Sequence, residues 1–163
     1  MTWTYEDTQG LQMLIVCFII YCLSNRLWIL SIKISFVALN NQVSTGSYNT
    51  TLGAYSLYNN TTASYNTAVG YQAAYTNTTG QYSTAIGYGA LYSANANSNV
   101  AVGHTSLYTN TGSSNTAVGV ESMYANTTGA ENCAFGHVAL TANTTGTYNV
   151  AIGKQALRNS TTA

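Results

Sequence analysis

The stretch Asn66-Thr67-Ala68-Val69-Gly70-Tyr71-Gln72-Ala73-Ala74-Tyr75-Thr76-Asn77-Thr78-Thr79-Gly80-Gln81-Tyr82 decides the fold, because the chain begins it again at Ser83. From Asn49 onward the sequence restarts every 16 or 17 residues. The marker glycines are Gly53, Gly70, Gly87, Gly103, Gly119, Gly136 and Gly153. Four residues before each stands Asn49, Asn66, Ser83, Asn99, Asn115, Asn132 or Asn149, and immediately before each stands Leu, Val, Ile or Phe. A small residue follows three after the glycine, and Leu, Met or Ala four after it. Recurrence at a fixed short period is the mark of a repeat architecture whose units bury their cores by stacking.

A unit of this length cannot hold a helix pair, which takes about 34 residues in helical arrays. Alternation in N-T-A-V-G reads as a strand instead. Two short legs and two turns make one coil of a parallel β-solenoid, with coils about 4.8 Å apart. The fold class is therefore all-β, a solenoid of seven coils. A decayed eighth copy precedes them, in which Ile32-Lys33-Ile34-Ser35 aligns with Val150-Ala151-Ile152-Gly153. The marker glycines are expected to supply a turn conformation, or a close approach, that a Cβ would block. The absence of proline suits a stack in which each strand N–H is needed.

The alternation sets two faces. The Thr/Val/Cys and Val/Ile/Phe positions are expected to share one side, pointing inward, with alanine on the other. The column Ala68, Ala85, Ala101, Ala117, Ala134 and Ala151 is small and unbroken. It is expected to face partner chains around a symmetry axis. The plainer alternative is that alanine lines a monomeric coil.

Composition narrows the function classes. Charged residues make up 5% of the chain, against about 25% in an average soluble protein. Net charge is zero, which leaves no electrostatic footprint for nucleic acid. Fourteen tyrosines and regularly placed Val, Ile and Leu separate the chain from polar disordered sequences. Three cysteines, Cys17, Cys22 and Cys133, do not form a disulfide framework. No nucleophile motif, phosphate loop or paired-cysteine motif is present. Glu121 and Glu131 read as solvated turn residues, not an acid/base pair. His104 and His137 share a repeat position two coils apart, too far for one metal within a chain. Three copies of one histidine could meet on the axis of a trimer. The chain is expected to be no enzyme and to need no cofactor.

The segments Asn66-Thr67-Ala68-Val69-Gly70, Asn99-Val100-Ala101-Val102-Gly103 and Asn149-Val150-Ala151-Ile152-Gly153 resemble the head repeats of YadA-like trimeric autotransporter adhesins. The longer form, with Tyr-Gln-Ala and an Asn-Thr-Thr-Gly turn, is similar to repeats of phage and large-virus tail fibres. Resemblance covers Asn49 to Ala163. It implies a left-handed parallel β-roll, a homotrimer, and attachment to a host-cell or surface receptor, outside the cell or on a virion. The adhesin repeat is usually shorter, so the extra residues here enlarge one turn. The sequence stops at Ser160-Thr161-Thr162-Ala163, inside a turn, and a fragment or truncated product is the expectation.

Three regions follow: an apolar helical segment over 1–30, a degenerate coil and linker over 31–48, and the β-roll over 49–163. Residues 11–30 match the ~20 residues of a membrane-spanning helix. Arg26 interrupts that run, and Glu6 and Asp7 precede it where a signal peptide carries positive charge. Arg26 and Lys33 on its C-terminal side would keep the repeats cytoplasmic. A membrane anchor or uncleaved signal, an apolar cap on the roll, and upstream sequence of no function all stay open.

Two repeated surface features are candidates for binding. The column Tyr58, Tyr75, Tyr92, Tyr108 and Tyr124 could hold sugar faces, or its rings could stabilise one another as a ladder. Asn-x-Ser/Thr sequons stand at Asn49, Asn59, Asn60, Asn77, Asn126, Asn143 and Asn159. They are glycan acceptors or turn chemistry. Thr61-Thr62, Thr78-Thr79, Thr127-Thr128 and Thr144-Thr145 raise an alternative function, an ice-binding array. A further alternative is a membrane-anchored, glycosylated surface protein.

Overall fold

The computed structural model describes residues 45–162 and the strand Ile32–Ile34. The expected apolar segment over 1–30 and the linker outside that strand lie beyond the described residues. Among the described residues no helix is long and apolar enough to cross a membrane.

The described chain is all-β, a parallel β-solenoid. Its strands are β1 (Ile32–Ile34), β2 (Thr50–Leu52), β3 (Thr67–Val69), β4 (Thr84–Ile86), β5 (Val100–Val102), β6 (Thr116–Val118), β7 (Cys133–Phe135) and β8 (Val150–Ile152). They form one parallel sheet in sequence order. Register keeps like residues together: Ala85 pairs with Ala101 and Ile86 with Val102. β1 pairs Lys33 with Thr51 and Ile34 with Leu52, which is the register of the decayed eighth repeat.

The second leg of each coil stacks the same way. Leu91 N–H donates to the Ser106 carbonyl at 3.0 Å, and Leu107 N–H to the Ser122 carbonyl at 3.1 Å. Leu57, Leu91, Leu107, Met123 and Leu140 project into the coil and are buried. Each such side chain contributes roughly 1.5–3 kcal/mol by leaving water.

Opposite them stand Ala68, Ala85, Ala101, Ala117, Ala134 and Ala151, all buried within the one chain. This corrects the expected faces: the alanines do not look toward partner chains but line the coil itself. The reason is the thinness of the coil. With a leucine column and buried asparagines already filling the interior, the sheet side has room for little more than a Cβ. The bulky neighbours are turned out instead, and Leu52, Ile86, Phe135, Val150 and Ile152 are exposed.

Corners are made by backbone in the left-handed region. In each complete coil a residue ahead of the Asn column (Tyr82, φ 59°; Ser98, φ 61°), one two after the marker glycine (Gln72, φ 55°) and one at the leucine position (Leu107, φ 49°) have positive φ. For non-glycine residues this conformation costs roughly 1–2 kcal/mol each. Inter-coil hydrogen bonds hold it in place: Gln72 N–H donates to the Ala54 carbonyl at 3.0 Å and Ser98 N–H to the Gln81 carbonyl at 2.9 Å. The marker glycines meet both demands at once. Gly70 has φ 128°, and a Cβ there would lie 2.5 Å from the Gly87 carbonyl oxygen.

Candidate functional site

Asparagine fixes the corners from inside. The N–H of Asn66 donates to Asn49 Oδ1 at 2.9 Å, and Asn66 Nδ2 donates to the Gly80 carbonyl at 2.9 Å. A second column runs through Asn110, Asn126 and Asn143: Asn126 Nδ2 donates to Asn110 Oδ1 and Asn143 Nδ2 to Asn126 Oδ1, each at 2.7 Å. Both columns are buried. Five sequon asparagines, Asn49, Asn60, Asn77, Asn126 and Asn143, are therefore interior residues. Asn159 is exposed and Asn59 half-buried.

The threonine pairs divide in a similar way. Thr61 Oγ1 donates to the Thr78 carbonyl at 2.9 Å, Thr127 Oγ1 to the Thr144 carbonyl at 2.8 Å, and Thr144 Oγ1 to the Thr161 carbonyl at 3.0 Å. Thr78 Oγ1 instead donates to Asn95 Oδ1 at 2.9 Å. The first hydroxyl of each pair thus bonds the following coil. The second threonines Thr62, Thr79, Thr128 and Thr145 are exposed, as is Thr127.

Tyrosines form three columns on the outside. Tyr58, Tyr75, Tyr92, Tyr108 and Tyr124 stack continuously at 5.3, 5.1, 4.9 and 5.2 Å, with ring planes within 10° of parallel. Inside this column each ring face is covered by another ring, so only edges and hydroxyls meet solvent. Loss of solvation, then the neighbouring hydroxyls, hold Tyr75 and Tyr108 above the ordinary phenol value. A second column, Tyr71, Tyr88 and His104, stacks at 5.4 and 5.1 Å. A third, Tyr48, Tyr65 and Tyr82, stacks at 4.9 and 5.1 Å and is more exposed. Sequence reasoning missed the last two as ladders, although tyrosine recurring at intervals of 17 could have revealed them.

The other surface is the outer side of the sheet. Leu52, Val69, Ile86, Val102, Val118, Phe135 and Ile152 make one outward column. Thr50, Thr67, Thr84, Val100, Thr116, Cys133 and Val150 make the other. All of these are half-buried or exposed. The Leu/Val/Ile/Phe column is a contiguous apolar stripe, and large exposed apolar patches are uncommon on isolated soluble domains. Among the described residues no group of three metal-ligating side chains converges.

This geometry defines a class, the parallel β-solenoid repeat proteins. No family model, curated protein or solved structure matches the chain.

Proposed function

We propose that the chain is a segment of an attachment fibre, an adhesin head or tail-fibre shaft, carried outside a cell or on a virion. In this reading the solenoid is a left-handed roll and three copies associate through the outward apolar columns, not through alanine. The resemblance supplies the handedness and the number three. The observation that carries assembly is the stripe Leu52, Val69, Ile86, Val102, Val118, Phe135 and Ile152, exposed or half-buried along its length. A second copy suits it because both chains have the same rise per coil, so each rung meets an equivalent rung without drifting out of step. Tyrosine ladders and polar turns remain outward for a receptor, and the role is structural, with no catalytic step. The internal use of the paired-threonine hydroxyls favours this reading over ice binding.

Sedimentation equilibrium of the full chain tests it. Three times the monomer mass is expected, falling to the monomer in Val102→Lys, where one buried charge per copy would meet two others across the axis. A wild-type chain that sediments as a monomer overturns the proposal.

A further inference from the structure

The third tyrosine column is interrupted, and the interruption has a shape. Tyr82 stacks on Tyr65 on one side. On its other side the next two rungs of the same column are Ser98 and Ser114, followed by Glu131. All four residues share the same backbone conformation, with φ of 58–61°. Their side chains therefore leave the coil in the same way, and two rings are simply missing. One face of Tyr82 is open, and the residue is 58% exposed against 49% for Tyr65.

The turn beside the gap is cut back at the same two rungs. Four residues separate Ala94 from Asn99 and Asn110 from Asn115, whereas five separate Asn77 from Ser83 and Asn126 from Asn132. These two coils are the 16-residue ones. Loss of the rings and shortening of the wall coincide, so a notch opens in an otherwise continuous ridge. Its ends are the Tyr82 ring and the Glu131 carboxylate, three rungs or about 14 Å apart. Its floor carries the Ser98 and Ser114 hydroxyls, both exposed and neither engaged by another described residue.

We propose that this notch is a saccharide-binding site, taking two linked neutral pyranose rings, the first stacked on Tyr82. An aromatic face accepts a flat ring of C–H groups at about 4.5–5 Å between centres, the spacing its own neighbours already use. A sugar in the Ser98 rung continues the tyrosine stack. Its rim hydroxyls then meet the two serine hydroxyls. Glu131 accepts hydrogen bonds from hydroxyls of the second ring, in the Ser114 rung, a charge-assisted arrangement. A simple cation would use the Tyr82 face and the carboxylate but would leave the hydroxyl floor without a role. The inference deepens the attachment reading by naming the class of receptor.

The test is a glycan array of neutral and sialylated oligosaccharides probed with the full chain, followed by titration of the best neutral glycan. Binding with a millimolar Kd is expected. Ser98→Tyr restores the missing ring with a residue that the column already tolerates, and is expected to weaken binding at least tenfold. Glu131→Gln weakens it several-fold, and Lys154→Ala, exposed on the last coil and away from the notch, leaves it unchanged. Circular dichroism confirms that each variant folds. No neutral glycan bound, wild-type binding in Ser98→Tyr, or binding confined to an arginine-rich peptide offered in parallel overturns the proposal. Sedimentation of the same samples separates the two readings. A trimer that binds no glycan removes the notch alone, and a monomer removes the assembly whatever the array shows.

Discussion

The backbone N–H of Asn132 donates to Asn115 Oδ1 at 3.0 Å, one whole coil away, while Asn115 Nδ2 reaches the Gly129 carbonyl at 2.8 Å. One buried amide thus ties two coils and a turn together. Replacing Asn115 by alanine strands the Asn132 N–H in the interior, at about 1–3 kcal/mol for an unsatisfied group, while the Gly129 carbonyl keeps the Asn126 amide at 2.8 Å. Asn115→Ala is expected to lower stability by about 1–3 kcal/mol in urea unfolding. Asn99 offers a contrast. Its Oδ1 accepts from Asn115 N–H at 2.9 Å, but its Nδ2 is buried with no partner among the described residues. The shortened turn leaves the Gly112 carbonyl to Asn110. Asn99→Ser keeps an acceptor, as Ser83 does in the coil before, and is expected to change stability by less than about 1 kcal/mol.

Marker glycines separate conformation from crowding. A Cβ on Gly103 would lie 2.6 Å from the Gly119 carbonyl carbon, in backbone that cannot retreat. Gly103→Ala is expected to cost about 3 kcal/mol or more, combining the clash with a φ of 136°. Gly153 has φ 115° and nothing within 4 Å. Gly153→Ala there carries conformational strain alone, about 1–2 kcal/mol. Equal urea midpoints for the two variants would show that inter-coil crowding contributes nothing.

Left-handed corners make glycine favourable where the repeat does not use it. Glu121 is exposed at φ 55°, and Gly89 fills the equivalent position two coils earlier. Relief of the left-handed strain, about 1–2 kcal/mol, outweighs the entropy glycine loses on folding, about 0.5–1 kcal/mol. Glu121→Gly is expected to raise the urea midpoint slightly; a fall would mean that the side chain contributes more than its exposure suggests.

The tyrosine ladder predicts an alkaline limit. In the folded chain Tyr75 and Tyr108 hold their protons more tightly than a free phenol. Their contribution to stability is complete below the unfolded value of about 10 and is lost as pH rises through the folded values. Phenolate absorbance at 295 nm should show these two rings titrating late, with the urea midpoint falling over the same pH range. A midpoint independent of pH above 10 would contradict the assignment.

Burial of five sequon asparagines bears on glycosylation. In a folded chain recovered from a glycosylating secretory pathway, occupancy is expected only at Asn59 and Asn159. Glycopeptide mass spectrometry reads this directly, and a glycan on Asn126 or Asn143 in folded protein would be incompatible with their interior hydrogen bonds.

Sequence and tertiary structure divided the work between them. The restarts at Asn66, Ser83 and Asn99 determined that the chain is a parallel solenoid, since residues recurring at one short period can stack only on themselves. They also determined the register, including that of the decayed strand Ile32–Ile34. Which side of the strand became the interior was decided by packing. Alternation distinguishes Ala101 from Val100 and Val102 but does not say which set points inward. The narrow coil, already filled by Leu107 and the asparagine columns, admitted only the alanine. The left-handed corners at Leu107 and Tyr82 were equally hidden, because neither residue type prefers that conformation alone and the neighbouring coils impose it. The notch beside Tyr82 was half legible. The serines and the shortened repeats stand in the sequence, but only the stacked geometry places them on one ridge, between an open ring and a carboxylate.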